Sequence, residues 1–110
     1  MFFKKKYVYS KTKIKDLLPI GTIITLTTRP EKFIILSYGG FIKDKQTNTY
    51  NEKDYIIGKY PFVDLIEGIN YDHMYITKEE IKDVVFMGYD NEDRKLFLEE
   101  VDWRSDRNNG

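Results

Sequence analysis

Two β-branched runs separated by three residues constrain the fold of this chain more than any other feature. Residues 22–28 read TIITLTT and residues 32–38 read KFIILSY, with Arg29, Pro30 and Glu31 between them. β-branched and aromatic residues favour strands, and a short connection that contains proline is typical of a turn between neighbouring strands. The sequence therefore predicts a pair of antiparallel strands here, and with it an antiparallel sheet.

Other segments have the composition of shorter strands. Residues 53–60 read KDYIIGKY and end at Pro61, which cannot donate a hydrogen bond to a β ladder. Residues 73–76 and 83–89, the latter reading DVVFMGY, follow later in the chain, and residues 7–9 are a weaker candidate near its start. Together they extend the predicted sheet.

Two stretches are predicted as loops. Residues 43–52 read KDKQTNTYNE, which is polar and has no period, so we expect a surface loop after a break at Gly39 and Gly40. Residues 62–72 hold a glycine and no clear period, and we expect a loop there as well.

Two short helical turns are predicted between these strands. Residues 12–18 form one turn that ends before a proline, because the residue before proline is disfavoured in the α region. Residues 77–82 form another, in which Thr77 is the N-cap and Glu80 has the spacing of a capping box.

A longer helix is predicted at residues 90–105, with Asp90 or Asn91 as its N-cap. At about 100° per residue, one arc of this helix carries the apolar side chains that we expect to be buried. They are Phe97, Leu98 and Val101.

A second apolar stripe lies on roughly the opposite side of the same helix. Leu96 and Trp103 are seven residues apart and nearly in register. A helix face in water has no reason to carry both. They either contact a partner or a second copy, or they are covered by the N-terminal segment, or the helix frays before Trp103.

The order of these elements predicts an α+β fold with a small antiparallel sheet, either open or barrel-like, a short helix and a C-terminal helix. We expect a single domain over residues 1–110. Within it, residues 1–16 form a basic N-terminal arm, residues 17–89 the sheet-forming core and residues 90–105 the C-terminal helix.

Charge is unevenly distributed along the chain although the net charge is zero. Residues 1–45 hold 10 Lys or Arg against 3 Asp or Glu, a net charge of +7, and residues 46–110 carry −7. The arm either seeks an acidic partner or a phosphate, or it folds back on the acidic half or is solvated. Nucleic-acid-binding domains usually carry a net positive charge, so we expect no nucleic-acid partner.

The chain has no cysteine, which excludes disulfides and thiolate metal sites. Its start, MFFKKKYVYSKTK, lacks the uninterrupted apolar core of a signal peptide, and no stretch approaches the roughly 18 apolar residues of a membrane span. We expect a cytoplasmic protein without a membrane span.

No pattern in the sequence indicates a reaction centre. The only histidine, His73, follows Asp72, whose side chain would point to the opposite face of a strand. The acidic residues 90–93 lack the central glycine of a calcium loop, and Gly39-Gly40 lacks the Gly-Lys-Ser/Thr ending of a phosphate loop. We expect no catalytic, metal or cofactor-binding residues, and no enzyme.

Four stretches, in their order and spacing, carry a family resemblance: LLPIGTIITL, KFIILSYGG, KDYIIGKYPF and ITKEEIKDVVFMGYDNED. The chain resembles, over residues 17–98, the small Gram-positive family catalogued as domain of unknown function 4176. The resemblance implies a genetic neighbourhood of LXG-domain toxins and type VII secretion components, and no reaction.

The resemblance thus implies a non-enzymatic chaperone or targeting factor that binds an LXG toxin for type VII secretion. Small helical type VII proteins are further candidate partners, and a homodimer stays open. The alternative is an immunity protein that inhibits a cognate toxin through the acidic half of the chain. The predicted partner-binding residues are Leu96, Trp103, Tyr60, Phe62 and Leu65.

Overall fold

The structure is a computed structural model that describes residues 6–61, 73–101 and 104. The described residues form eight strands and one α-helix. The strands are β1 (Lys6–Val8), β2 (Ile23–Leu26), β3 (Lys32–Tyr38), β4 (Phe41–Asp44), β5 (Thr49–Glu52), β6 (Tyr55–Lys59), β7 (Met74–Ile76) and β8 (Ile81–Phe86), and the helix is α1 (Glu92–Glu100).

The strands form two sheets that are not closed into a barrel. The larger sheet has the order β7-β6-β3-β2-β8 and is antiparallel throughout. The smaller sheet has the order β1-β5-β4, in which β1 runs parallel to β5 and β4 antiparallel to it. The prediction of an α+β fold is confirmed, including the pairing of β2 with β3.

One face of the five-stranded sheet forms the hydrophobic core. Strands β2 and β3 alternate between buried and partly exposed residues, as the period of two requires. Ile14 and Leu17, in and after a short 3-10 turn at Ile14–Asp16, belong to the same core. The core residues on the strands are each at most 3 % exposed, and they are Ile24, Leu26, Phe33, Ile35, Tyr55, Ile57 and Ile76.

The prediction of a surface loop at residues 43–52 is wrong. Those residues and the two before them form the hairpin of β4 and β5, which turns at residues 45–48, where Asn48 has a φ of 54°. The hairpin lacks a hydrophobic period because it contributes almost nothing to the core. The third strand of the smaller sheet, β1, comes from the segment predicted as a basic arm, so its pairing with β5 is non-local.

The predicted turn at residues 77–82 is confirmed in shorter form, as a 3-10 turn at Lys78–Glu80. The Thr77 N–H donates to Glu80 Oε2 at 2.7 Å, which is the capping-box contact expected from the sequence. Strand β8 follows directly and begins two residues earlier than predicted. The predicted loop at residues 62–72 lies outside the described residues.

Helix α1 begins as predicted, but its buried face differs. Asn91 is the N-cap, and its Oδ1 accepts a hydrogen bond from the Arg94 N–H at 2.8 Å. Leu98 is buried as predicted, whereas Phe97 is 62 % exposed and the prediction for it is wrong. The described helix ends at Glu100, with Val101 as its C-cap.

Arg94 attaches α1 to the body of the protein and helps to determine which side of the helix faces it. Its Nη2 donates to the Tyr38 hydroxyl at 2.6 Å and to the Leu17 carbonyl at 3.1 Å. Burial acts to lower the pKa of Arg94, but its hydrogen bonds to Tyr38 and Asp90 outweigh this effect and the pKa is raised. Arg94 and Leu98, four residues apart on one face of α1, therefore face the body of the protein, whereas Phe97, about 100° from Leu98, is exposed.

The end of β8 is held close to the turn before β2. The Gly88 N–H donates to Thr22 Oγ1 at 3.0 Å, and a Cβ added at Gly88 would lie 2.6 Å from the Ile20 carbonyl oxygen. Thr22 is fully buried. The Thr25 hydroxyl is also buried but has no hydrogen-bond partner among the described residues.

These two threonines give a matched test of the contact. We expect Thr22→Val to lower the free energy of unfolding by about 1–3 kcal/mol, because a buried N–H loses its acceptor. Thr25→Val should leave it unchanged or raise it, because an unsatisfied hydroxyl is removed. Urea unfolding of both variants measures the difference, and equal losses would contradict the assignment.

Candidate functional site

Strand β8 lies at the edge of the five-stranded sheet. Within residues 6–61, 73–101 and 104, β2 is its only strand neighbour. Every residue of β8 after Ile81 is exposed. An exposed edge strand presents unpaired backbone N–H and C=O groups that can pair with another chain.

The second half of β8 and the next residue form a continuous apolar run at this edge. Val84, Val85, Phe86 and Met87 are between 42 % and 60 % exposed. A continuous apolar run normally indicates a strand buried on both faces. Here the run is exposed, and contiguous exposed apolar patches are typical of interaction sites. We call residues 84–87 the β8 run.

The β8 run reaches both faces of the sheet. Val84 lies opposite Ile24, whose side chain is in the core, so Val84 extends the core face to the edge. Phe86 lies opposite Ile23, on the other face of the sheet. The pairing with β2 skips Val85, which indicates a β-bulge at that residue.

The face opposite the core, which we call the back face, carries further apolar side chains. Ile23 lies opposite both Phe86 on β8 and Ile34 on β3, so three neighbouring strands contribute to one row. Ile56 and Tyr75 form another cross-strand pair on β6 and β7. Ile23, Ile34 and Ile56 are half-buried, and Tyr75 is exposed. Phe86 therefore lies at the end of an apolar row, not alone.

Negative charge surrounds the β8 run in the sequence. Residues 78–93 hold six Asp or Glu against two Lys, a net charge of −4. Asp83 lies on β8 itself, and Glu92 and Asp93 follow in the first turn of α1, all exposed. Asp90 is paired with Arg94 at 3.0 Å. The apolar run thus lies between acidic groups on both sides.

The structure describes two of the predicted partner-binding residues, Leu96 and Tyr60, and they lie at separate places. Leu96 and Tyr60 are both exposed. The Tyr60 N–H donates to the Lys32 carbonyl, at the start of β3, whereas α1 is attached through Tyr38, at its end. The two ends of a seven-residue strand are about 20 Å apart. Trp103, Phe62 and Leu65 lie outside the described residues.

A buried ion-pair cluster joins the two ends of the chain. The Arg104 Nη1 lies 3.0 Å from Asp54 Oδ1, its Nη2 donates to the Lys53 carbonyl at 3.0 Å, and its Nε lies 3.6 Å from Glu52 Oε1. Arg104 is fully buried, and Asp54 is 1 % exposed. The Ser10 hydroxyl donates to Asp54 Oδ1, and the Ser10 N–H donates to Glu52 Oε1.

These contacts satisfy the two carboxylates and connect distant segments, as a structural junction does. A serine beside a carboxylate would need an imidazole or another base between them to act as a nucleophile. His73, the only histidine of the chain, lies instead in a small cavity with Arg29 and Lys59. The described residues contain no group of three or more His, Cys, Asp or Glu placed to hold a metal ion.

The smaller sheet has an exposed aromatic cluster. Tyr7 stacks on Tyr50 at 5.1 Å between ring centroids and contacts Phe41 edge-on at 5.4 Å, and Tyr9 also contacts Phe41. Lys43 lies over the Tyr50 ring at 5.9 Å. These rings pack against one another, so each shields part of its neighbours' apolar surface from water. Among the described residues, the β8 run has no such neighbours across its outer edge, and it is the better candidate.

Taken together, these features define an α+β domain that carries an exposed apolar edge strand. Residues 17–97 match the family described as Domain of unknown function (DUF4176), and the chain belongs to this family. The match includes every strand from β2 to β8 and most of α1. The comparisons with curated proteins and with solved structures found no match. None of the helices in the described part of the chain has the length and apolar character to cross a membrane.

The ion-pair cluster can be tested by removing its cation. We expect Arg104→Met to lower the free energy of unfolding by about 3–5 kcal/mol, because Asp54 and Glu52 then stay buried without their positive partner. Arg29→Met is the matched control, since Arg29 forms an ion pair with Glu31 that solvent reaches, and it should cost far less. Similar losses for both variants in urea unfolding would refute the structural role of the cluster.

Proposed function

We propose that this chain is a non-enzymatic binding protein that engages another protein through the β8 run and the adjoining back face. The observation that carries this proposal is the exposure of four consecutive apolar residues at the edge of a sheet. Leaving such a surface in water is unfavourable by roughly 25 cal/mol for each Å² of apolar area. A partner that covers it removes that cost.

The partner in this proposal is an LXG-domain toxin, and the role is that of a cytoplasmic chaperone or targeting factor for type VII secretion. The choice of partner rests on the family resemblance, which implies a genetic neighbourhood of such toxins. A chaperone needs an apolar surface that is accessible before its client is bound. The β8 run meets that requirement.

The acidic stretch at residues 78–93 keeps the immunity protein as a second candidate. Inhibitors of nucleases often present acidic groups to a basic cleft, and this stretch carries a net charge of −4 beside the candidate surface. The two roles differ in the part of the toxin that is bound.

A pull-down with a divided toxin separates the two roles. The purified chain is mixed with the N-terminal half of the neighbouring toxin and, separately, with its C-terminal toxic half. Binding to the N-terminal half is the expected result for a targeting factor. Binding to the toxic half, with loss of toxicity and rescue of growth on co-expression, would identify an immunity protein. Binding to neither half would refute both.

Two phenylalanines of similar exposure provide a test of where the binding surface lies. Phe86 is 60 % exposed on β8, and Phe97 is 62 % exposed on α1, next to Leu96. We expect Phe86→Ala to raise the Kd for the N-terminal half of the toxin by about 30-fold, the effect of losing roughly 2 kcal/mol at a hot spot. Phe97→Ala should change it by less than about threefold.

Calorimetric titration of both folded variants measures these values. The reverse result, a large loss for Phe97→Ala and none for Phe86→Ala, would move the site to the exposed face of α1 and support the predicted role of Leu96. Circular dichroism of the two variants controls for unfolding.

A further inference from the structure

The geometry points to β-strand addition as the mode of binding: we propose that β8 accepts an extended apolar segment of the partner, with basic residues on its flanks, as a sixth strand of the sheet. This inference rests on the proposed function, because it requires a protein partner. It adds the conformation of the bound segment and its chemistry, which the proposed function leaves open.

The backbone of β8 supports this mode. Natural edge strands are usually protected from pairing by charges, prolines or bulges. Lys82 and Asp83 supply charges in the first half of β8, whereas residues 84–87 contain neither a charge nor a proline. Protection by charge therefore covers the first half of the strand and does not extend to the β8 run.

The ladder between β2 and β8 has a bulge within the β8 run, at Val85. Because the ladder between β2 and β8 passes from Val84 to Phe86, Val85 has no partner on β2. Bulges re-aim side chains and occur often at sheet edges and beside functional sites. Val85 is about half exposed, at the centre of the run.

The two faces of β8 determine which types of side chain the added strand must carry. In strand addition, main-chain hydrogen bonds give affinity and alternate side chains give specificity. Val84 continues the core face, and Phe86 continues the back face next to Ile23. An added strand would therefore meet apolar side chains on both faces, so we expect a nearly continuous apolar segment and not an alternating one.

Charge complementarity determines which residues flank that segment. The net charge of −4 over residues 78–93 favours lysine or arginine on either side of the apolar core of the ligand. The same charge disfavours a second copy of this chain. Two copies paired edge to edge would place two acidic stretches beside each other, which is repulsive.

A lysine at the centre of the β8 run tests strand addition. Val85→Lys places a charge at the edge, the device by which natural sheets prevent pairing. The matched control is Val8→Lys, since Val8 is a similarly exposed valine on an edge strand of the smaller sheet. With the N-terminal half of the toxin as the probe, we expect Val85→Lys to raise the Kd at least tenfold and Val8→Lys to leave it unchanged.

Hydrogen exchange of the backbone distinguishes strand addition from side-chain contact alone. We expect the outward-facing amides among residues 82–87, which do not bond to β2, to exchange at least tenfold more slowly in the complex with the N-terminal half of the toxin than in the free chain. We also expect the Kd to rise as sodium chloride is raised from 50 to 500 mM, because a basic segment loses its attraction to the acidic flanks.

The outcomes separate this inference from the proposed function. Binding by the wild-type chain with no change in amide exchange, or with Val85→Lys as tight as wild type, overturns strand addition and leaves the proposed function standing. No binding to the N-terminal half overturns both. A third outcome concerns the free chain without toxin. If the same amides become more protected as the chain concentration rises, and sedimentation shows a dimer, the edge belongs to a second copy and the inference is overturned. A Kd independent of salt overturns the basic character of the segment.

Discussion

The carboxylate of Asp54 is the contact on which the arrangement of the two sheets depends. It lies between β5 of the smaller sheet and β6 of the larger one, and it accepts hydrogen bonds from Ser10, Lys78 and Arg104. These donors come from the segment after β1, the turn before β8 and the C-terminal segment. A single buried group thus connects four parts of the chain, and none of them can shift without exposing or unpairing a charge.

The sequence predicts what local patterns determine and fails where distant residues meet. Strand β3 has its predicted bounds because β-branched residues and the turn before it are neighbours in the sequence. The parallel pairing of β1 with β5 and the ion pair of Asp54 with Arg104 join residues more than 40 positions apart, and no local period encodes them. The orientation of α1 depends on such a contact, from Arg94 to Tyr38.

The candidate site was only partly accessible to sequence reasoning for the same reason. The strand character of the β8 run was predicted, and the exposure of Leu96 agrees with its predicted position on the outer side of the helix. The edge position of β8 was not predicted, since it follows from the pairing of the last strand with β2, an early one. A continuous apolar run has the composition of a buried strand whether its outer neighbour belongs to the same chain or to another.

The junction and the edge strand are connected physically. Asp54 Oδ2 accepts a hydrogen bond from the Lys78 N–H at 2.8 Å and so fixes the turn directly before β8. At the other end, the Gly88 N–H bonds to the buried Thr22. An edge strand held at both ends loses little further conformational entropy when a partner pairs with it, and this favours binding. The stability of the buried junction therefore contributes to the pre-organisation of the exposed edge strand for pairing.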